Sequence, residues 1–230
     1  MELYPMRVII SAATNGEWMP LFQKINPKFV TPNKKFSVGF HESGVGMLAS
    51  SVSLMKMVVQ ETPSLIIQMG IAGSLDPKIP LGKVFVIKDD VVGDIGVTEN
   101  KQWKDLFDLK LDGANDAPFE KKSLPNPWLK QYNVLNLPTK KAVTINTIST
   151  DKNKIELYSG RYKASLESME GAALHYMGRD LHIPFIQIRA VSNYVGERNK
   201  AKWKMKEAIY NLNETLLQYL DALHKLPNHA

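Results

Sequence analysis

The chain has 230 residues, of which 44% are hydrophobic and 23% are charged, a balance typical of a folded globular protein and not of a disordered chain. Its length suits one α/β domain with a full core, so we expect residues 1–230 to form a single domain. The absence of cysteine excludes disulfides, thiolate metal sites and a cysteine nucleophile.

The net charge is +6, but the lysines are scattered and form no stripe with aromatic residues, so we expect a solvated surface and no nucleic-acid partner. No apolar run approaches the roughly 20 residues that span a bilayer. Residues 1–5 lack the features of a signal peptide. We therefore expect a cytoplasmic protein without a membrane partner.

The first predicted element is a strand over residues 8–13, an apolar run that ends in the tight loop Thr14-Asn15-Gly16. Glu17 follows this loop directly. Because open α/β sheets bind ligands at the carboxyl ends of their strands, Glu17 would lie at the ligand-binding edge. From the residues alone, it could equally be an acid in the first turn of a helix.

A second strand is predicted over residues 36–41 and a long helix over residues 47–61. The segment 42–46 between them contains two glycines, which let backbone amides approach a ligand closely. As a phosphate cradle this signal is weak, because no lysine or arginine follows immediately. A phosphorylase needs cationic or hydroxyl ligands for its phosphate, so their absence favours a hydrolase.

The run 65–70 predicts a third interior strand, which leads into Ile71, Ala72 and Gly73. Residues 84–92 are mostly apolar and predict a fourth strand. These two strands would add to the same ligand-binding edge of the sheet.

The middle of the chain is less regular. Residues 99–138 are polar and rich in proline and asparagine, which predicts a long connection within the domain with one short helix over residues 127–132. Asp94, in a glycine-flanked segment, is typical of a turn acid. Strand character resumes over residues 142–147, and the apolar spacing of residues 200–224 predicts a final amphipathic helix.

The segment 166–198 has the composition of a two-part binding site. Glu170 begins a helix, where an ionised carboxylate is favoured and can accept hydrogen bonds from the two hydroxyls of a ribose. The apolar run 185–191 is typical of an interior parallel strand and would place Asn193 at the ligand-binding edge. On their own, Glu170 could equally be a structural helix-start charge and Asn193 a turn or cap residue.

Two stretches resemble the signature of a known family. They are Met169-Glu170-Gly171-Ala172-Ala173 and Ile188-Arg189-Ala190-Val191-Ser192-Asn193. The pair is similar to the signature of the nucleoside phosphorylase and nucleosidase superfamily. Residues 193–198, with Lys202, Trp203 and Ala208 beyond them, extend the similarity toward its futalosine hydrolases. The resemblance implies an α/β fold with a central mixed, largely parallel sheet flanked by helices. It also implies an enzyme that cleaves the N-glycosidic bond of a purine nucleoside.

The resemblance further implies roles for individual residues. Glu17 matches the base that activates water as the co-substrate, Glu170 matches the ribose ligand, and Asn193 matches the residue that meets the leaving base. The other substrate contacts that the resemblance implies are Met169, Ile71, Ala72, Gly73, Thr144, Ile145, Ser192 and Arg198. Ile71 replaces a serine of many relatives, and the lost hydroxyl favours hydrolysis over phosphorolysis.

The identity of Asn193 bears on the substrate. Adenine-releasing relatives carry an aspartate there, which can protonate N7 and accept from the 6-amino group. An amide instead donates to O6 and accepts from a protonated N7, the pattern of a 6-oxopurine such as hypoxanthine. The expected reaction is hydrolysis of futalosine to hypoxanthine and dehypoxanthine futalosine in menaquinone biosynthesis. Arg198, Lys202 and Lys204 are candidates for the carboxylate on the futalosine tail.

Three alternatives remain. A methylthioadenosine/S-adenosylhomocysteine nucleosidase is opposed by Asn193, and an inosine-type purine nucleoside phosphorylase is opposed by the missing basic phosphate ligand. A non-catalytic nucleoside-binding module is opposed by the joint presence of Glu17, Glu170 and Asn193. No metal or organic cofactor is expected. The resemblance suggests a homodimer or higher homo-oligomer, in which a neighbour contacts the region after residues 84–92 and closes the site over the substrate tail.

Overall fold

The computed structural model describes residues 6–30 and 36–226, so the segment 1–5 examined for a signal peptide lies outside the described residues. The strands are β1 (Met6–Ala12), β2 (Phe36–Glu42), β3 (Leu65–Ser74), β4 (Val84–Val92), β5 (Gly96–Glu99), β6 (Gln102–Asp105), β7 (Leu124–Pro125), β8 (Thr139–Thr144), β9 (Leu166–Ser168) and β10 (Phe185–Tyr194). The helices are α1 (Asn15–Lys24), α2 (Pro27–Val30), α3 (Met47–Glu61), α4 (Leu129–Tyr132), α5 (Lys152–Gly160), α6 (Gly171–Asp180) and α7 (Met205–His224), and a 3₁₀ turn covers Lys200–Lys202.

Eight of the strands form one mixed sheet in the order β10-β4-β8-β9-β3-β1-β2, with β7 paired to β4. The pairs β1–β2, β1–β3, β3–β10, β4–β8 and β8–β9 are parallel, and β4–β10, β3–β9 and β4–β7 are antiparallel. Because β10 pairs with both β3 and β4, the strands β3, β10, β4, β8 and β9 close into a ring. The predicted fold class, a mixed and largely parallel sheet flanked by helices, is confirmed.

The largest hydrophobic core joins β1, β3 and β10 to α7. Helix α7 turns its apolar stripe toward the sheet, and the buried residues of that stripe are Ala208, Leu212, Leu216, Tyr219, Leu220 and Leu223. The sheet contributes branched residues such as Val8, Ile67 and Ile188, which are fully buried. A stripe of this width stabilises a helix mainly through tertiary packing, so α7 covers one face of the sheet.

The structure differs from the sequence-based elements in the middle of the chain. The connection 99–138 contains the hairpin β5–β6 and the short strand β7 besides the predicted short helix. Strand β8 begins at Thr139 and ends at Thr144, three residues earlier at each end than the predicted strand 142–147. Helix α5 was not predicted. Within residues 6–30 and 36–226, no helix is long and apolar enough to cross a membrane.

Candidate active site

A cavity of about 420 Å³ opens where the carboxyl ends of β1, β3, β9 and β10 meet. The residues that line it are Ala13, Thr14, Gly16, Glu17, Val45, Ile71, Ala72, Gly73, Ile148, Glu167, Ser168, Met169, Glu170, Ser192, Asn193, Arg198, Trp203, Met205 and Ile209. The cavity therefore gathers nine of the eleven residues that the sequence predicts for the site. It also has the size expected for a small-molecule ligand.

Glu17 lies in the first turn of α1 and is held by two backbone amides. Its Oε1 accepts a hydrogen bond from Ile71 N at 3.1 Å, and its Oε2 accepts one from Thr14 N at 3.3 Å. Glu17 is only 9% exposed. Since a carboxylate has about four acceptor positions, two remain for a ligand in the cavity. Glu17 therefore completes the capping box at the start of α1 and also lines the cavity.

Helix α7 supports α1 beside an internal proline. Pro20 lies inside α1 and has no N–H for a helical hydrogen bond. The amide of buried Asn213 accepts from Leu21 N at 2.8 Å and donates to Glu17 O at 2.9 Å. Asn213 thereby fixes the backbone of Glu17 against α7.

Burial raises the pKa of Glu17 above the usual value of a glutamate, and the positive charge of Arg189 opposes this shift. Arg189 is itself 2% exposed. Its Nη2 donates to Gln68 Oε1 at 2.8 Å, and its Nη1 lies 3.6 Å from Glu170 Oε2. One buried guanidinium thus supports two carboxylates of the same cavity.

Gly70 makes room for this guanidinium. A Cβ atom at Gly70 would lie 2.3 Å from Arg189 Nη1 and 3.0 Å from Glu17 Oε1. Only a residue without a side chain lets Arg189 pass β3 and reach the carboxylates.

Glu170 precedes α6 and points its side chain at the beginning of a second helix. Its Oε1 accepts from Gly46 N, the N-terminal cap position of α3, at 3.0 Å. Its Oε2 faces Arg189. Met169 and Ser168 line the cavity beside it. The amide and the guanidinium together hold the carboxylate in a fixed direction.

Behind the cavity, a buried polar network connects Arg189 to helix α6. With its amide nitrogen directed at Asp90 and His175, Gln187 accepts from Arg189 Nε at 3.1 Å and donates to Asp90 Oδ2 at 3.1 Å and to His175 Nε2 at 2.8 Å. Burial raises the pKa of Asp90 to about 7 and lowers that of His175 to about 4. All of these groups are partnered, as buried polar groups need to be.

Thr144 belongs to this buried network and does not reach the cavity. It is fully buried, its Oγ1 donates to Asp90 Oδ1 at 3.0 Å, and the same hydroxyl accepts from Ala172 N at 2.8 Å. Ile145 is packed in a separate apolar cluster with Tyr158. The structure therefore does not bring these two predicted base contacts into the site. Ile148, which follows on the loop after β8, lines the cavity instead.

Asp94 fixes that loop. Its Oδ2 accepts from the backbone N–H groups of Asn146 at 2.6 Å and Thr147 at 3.2 Å, and its Oδ1 accepts from Asn146 Nδ2 at 3.2 Å. Asp94, which the sequence predicts to be a turn acid, therefore binds the loop after β8 and fixes the rim of the cavity near Ile148.

Asn193 projects from β10 next to a bulge in the strand. Its Nδ2 donates to Tyr194 O at 3.0 Å, and its Oδ1 accepts from Ser192 Oγ at 2.8 Å. A carbonyl can only accept, so Tyr194 O fixes which end of the amide is nitrogen. The second N–H and the second oxygen lone pair of Asn193 are left for a ligand.

The mouth of the cavity is formed by the segment after β10. Arg198 is exposed, and its guanidinium lies 5.5 Å from the centre of the Trp203 ring. Trp203 Nε1 donates to Glu197 O at 3.0 Å. Lys202 is paired with Glu197 at 2.7 Å. Of the three residues predicted to bind the substrate tail, Arg198 lines the cavity, and Lys202 and Lys204 do not.

Sequence reasoning missed several residues of the site. Glu167 lines the cavity and lies between Leu166 and Ser168 in the buried three-residue strand β9. Arg189 and Gln68 are polar residues inside mostly apolar strands. Among the described residues, no group of three or more histidine, aspartate and glutamate side chains is arranged to hold a metal ion.

Comparison with known proteins gives one family. A family model described as the phosphorylase superfamily matches residues 28–224. A futalosine hydrolase of Thermus thermophilus is 26% identical over 181 residues, which cover 78% of this chain and 79% of the relative. A 5'-methylthioadenosine/S-adenosylhomocysteine nucleosidase of Staphylococcus haemolyticus is 27% identical over 158 residues, 66% of each chain.

Solved structures agree on the fold. One match is a 5'-methylthioadenosine/S-adenosylhomocysteine nucleosidase from S. pneumoniae, solved with a transition-state inhibitor. It has a TM-score of 0.76 at 22% identity, and the match covers 95% of this chain and 100% of the nucleosidase chain. The futalosine hydrolase of Helicobacter pylori matches with a TM-score of 0.75 at 16% identity and covers 94% of this chain and 97% of its own.

Proposed function

The chain belongs to the phosphorylase superfamily, and we propose that it is a nucleosidase that hydrolyses the N-glycosidic bond of futalosine. The products are hypoxanthine and dehypoxanthine futalosine, which would enter menaquinone biosynthesis. Both groups of relatives, futalosine hydrolases and methylthioadenosine/S-adenosylhomocysteine nucleosidases, are named as enzymes that cleave such a bond by hydrolysis.

The observation that carries the proposal is the meeting of Glu17, Glu170 and Asn193 in one cavity. Cleavage of an N-glycosidic bond passes through a sugar with positive character, so it needs an anion near the ribose, an acceptor for charge on the base, and an activated water. The three residues supply these three needs from three different strand ends. We assign water activation to Glu17, ribose binding to Glu170 and base recognition to Asn193.

Glu17 is suited to activate water because its carboxylate is fixed but not saturated. Two backbone amides hold its oxygens at 3.1 and 3.3 Å, which leaves acceptor positions toward the cavity. Burial raises its pKa, which makes the ionised form a stronger base for the proton of water. Glu170, fixed by Gly46 N and Arg189, accepts the ribose hydroxyls.

The charges of the cavity favour water over phosphate as the nucleophile. Among its lining residues, three are glutamates, namely Glu17, Glu167 and Glu170, and one, Arg198, is a cation. Arg189 lies behind the wall and already binds Gln68 and Glu170. A phosphate dianion would be repelled by this arrangement, whereas a neutral water would not.

Asn193 supports a 6-oxopurine as the leaving base. With its amide direction fixed by Tyr194 O, it offers one N–H to O6 and one oxygen lone pair to a protonated N7. Arg198 at the mouth supports a substrate with a carboxylate tail, because Arg198 lines the cavity while Lys202 is paired with Glu197. Futalosine combines both features.

A second copy of the chain is proposed as the partner. Helix α3 carries an exposed apolar stripe at a spacing of three or four residues, made of Leu48, Val52, Met55 and Val59. A contiguous exposed stripe of this kind marks an interaction surface. A homodimer through this stripe is expected to be detected by analytical ultracentrifugation, and a monomer at micromolar concentration would contradict it.

The proposed activity is tested by chromatography of the base released from futalosine, inosine and methylthioadenosine, each with and without phosphate. Hypoxanthine from futalosine, at the same rate without phosphate, is the expected result. Adenine from methylthioadenosine would support the other group of relatives, and a requirement for phosphate would replace water as the nucleophile. A Glu156→Gln variant on the exposed face of α5 is the control for preparation effects.

A further inference from the structure

Two buried glutamines lie on either side of the Arg189 guanidinium. Gln68 on β3 and Gln187 on β10 are paired across the two strands, and Arg189 is paired with Gly70 two residues further on. Because side chains alternate along a strand, the two glutamines and Arg189 project from the same face of the sheet. Gln68 is 1% exposed and Gln187 is 0% exposed. The reaction proposed for the cavity assigns neither of them a part.

Gln68 binds one end of the guanidinium. Its Oε1 accepts from Arg189 Nη2 at 2.8 Å, and its Nε2 donates to Glu170 O at 3.4 Å. A backbone carbonyl can only accept, so Glu170 O fixes the position of the amide nitrogen. The amide oxygen of Gln68 is thereby directed at Arg189.

Gln187 binds the other end of the guanidinium. Its amide nitrogen donates to His175 Nε2 at 2.8 Å and to Asp90 Oδ2 at 3.1 Å, and its oxygen accepts from Arg189 Nε at 3.1 Å. His175 Nδ1 lies 2.6 Å from Leu124 O, which places the hydrogen of the neutral ring on Nδ1 and leaves Nε2 as an acceptor. Gln187 is therefore held in the amide direction that serves Arg189.

Gln68 and Gln187 form a clamp that keeps the guanidinium beside the carboxylates and not on them. A guanidinium binds a carboxylate most strongly through two parallel hydrogen bonds. Here the clamp occupies Nη2 and Nε with neutral amide oxygens. Arg189 Nη1 lies 3.6 Å from Glu170 Oε2, which is beyond hydrogen-bond distance, and Arg189 acts on Glu17 through its charge. The acceptor positions of both carboxylates that face the cavity therefore stay open.

We propose that the two glutamines of this clamp are positioning residues for hydrolysis. They hold the Arg189 guanidinium at a fixed distance from Glu17 and Glu170, so that these carboxylates stay open for water and ribose. The inference rests on the proposed function, because Glu17 and Glu170 have those roles there. It applies to any nucleoside that the cavity hydrolyses, since the clamp acts on the carboxylates and not on the base.

The test replaces Gln68 in two opposite ways. Gln68→Met removes the acceptor for Arg189 Nη2, whereas Gln68→Glu keeps an acceptor there and adds a negative charge. Gln218→Met and Gln218→Glu on the exposed face of α7 are the matched controls. The measurement is kcat/KM for base release as a function of pH, with whichever of futalosine, inosine and methylthioadenosine the wild type cleaves. Besides Arg189, the ionisable groups of the cavity and around the clamp are the same in all of these proteins, namely Glu17, Glu167, Glu170, Arg198, Asp90 and His175.

The two substitutions are expected to move the acid limb of the pH profile in opposite directions. In Gln68→Met the guanidinium is free to approach Glu17, so the limb should move to lower pH by about one pH unit. Its kcat should fall at least about tenfold, because the guanidinium then occupies acceptor positions that water needs. In Gln68→Glu the added carboxylate compensates the charge of Arg189, so the limb should move to higher pH by about one pH unit. Both Gln218 controls should match the wild type.

Opposite shifts separate positioning from a general loss of stability. Destabilisation lowers activity in both Gln68 variants but does not move the acid limb to lower pH in one and to higher pH in the other. With an active wild type, any result other than two opposite shifts would overturn the inference.

NMR of the wild type with isotope-labelled arginine tests the clamp without an activity assay. Held at both Nε and Nη2, the guanidinium cannot rotate, so Arg189 should show a slowly exchanging Nε–H and separate signals for its Nη hydrogens. Averaged Nη signals would overturn the clamp even if the Gln68 variants do not fold. A wild type that cleaves none of the three nucleosides contradicts the proposed function, and the NMR result then decides on the clamp alone.

Discussion

Replacing Glu17 with glutamine tests the centre of the proposed mechanism. The carboxylate uses one oxygen for Ile71 N and the other for Thr14 N. An amide has a single oxygen, so the –NH₂ group of Glu17→Gln must face one of these two N–H donors. A clash of this kind costs about 1–3 kcal/mol of folding stability. The loss of the base should lower kcat by about 10²–10⁴, which corresponds to about 3–5 kcal/mol in activation free energy.

The assay is hypoxanthine release from futalosine under steady-state conditions, with KM measured beside kcat. Because Glu17 is assigned to water and not to the nucleoside, KM should change by less than about threefold. Glu156→Gln on the surface of α5 is the matched control and should behave as the wild type. A Glu17→Gln variant that keeps kcat within about tenfold of the wild type would refute the assignment of Glu17 as the base.

The pH dependence follows from the direction of the pKa shift. Burial raises the pKa of Glu17 above 4.5, and the base acts only when ionised, so kcat/KM of the wild type should fall with decreasing pH at a higher pH than an ordinary glutamate would give. The free energy of unfolding has the opposite pH dependence. The stabilising contribution of Glu17 is present below pH 4.5 and is lost as the pH rises through the raised pKa of the folded state. Thermal unfolding of wild type and variant across this range should show the wild type losing stability relative to the variant as pH rises.

Three further substitutions probe the rest of the cavity. Asn193→Asp should move the ratio of kcat/KM for methylthioadenosine over futalosine upward by about 5- to 150-fold, since the carboxyl group suits adenine, and an unchanged ratio in base-release assays would contradict base selection at this position. Arg198→Met should raise KM for futalosine by roughly three- to tenfold at low salt and leave inosine unaffected, and equal effects on both would argue against a tail contact. Gly70→Ala would put a Cβ atom 2.3 Å from Arg189 Nη1, so it should cost about 1–3 kcal/mol in denaturant unfolding and reduce kcat at least about tenfold; a fully active variant would mean that Arg189 is not needed where it lies.

The sequence predicted the parts of the site that lie at strand ends. Glu17 follows the loop after β1, and Asn193 lies near the end of β10. Both positions could be predicted from the sequence because a buried parallel strand is an apolar run with a clear end. Glu170 was found for a related reason, since it precedes the small residues that begin α6.

The misplaced boundaries of strand β8 have a physical cause. Strand β8 includes Lys140 and Lys141, which hid its beginning because charged residues are not expected inside a buried strand. In the structure, Lys141 is paired with Asp89 at 2.8 Å, and Lys140 Nζ lies 5.7 Å from the centre of the Phe85 ring. These partners come from β4, and their contribution depends on tertiary structure that local patterns do not contain.

The residues behind the site were beyond local patterns for the same reason. Asn213 donates a hydrogen bond to Glu17 O, although 196 residues separate the two in sequence. Arg189 interrupts an apolar strand, and its function depends on the absence of a side chain at Gly70 on the neighbouring strand. Such pairs are defined by register between strands and not by spacing along the chain.

The closure of the sheet explains how the proposed functional residues meet. Strand β10 pairs with one edge of β3 over residues 66–74, and the other edge of β3 is shared by β1 at residues 65–68 and by β9 at Gly73 and Ser74. Three strand ends are therefore gathered around the end of β3, and Glu17, Glu170 and Asn193, which lie at or after these ends, line one cavity. The base selection proposed for Asn193 thus depends on the register of β10 against β3, and a change that shifts this register should weaken hypoxanthine binding even if Asn193 is retained.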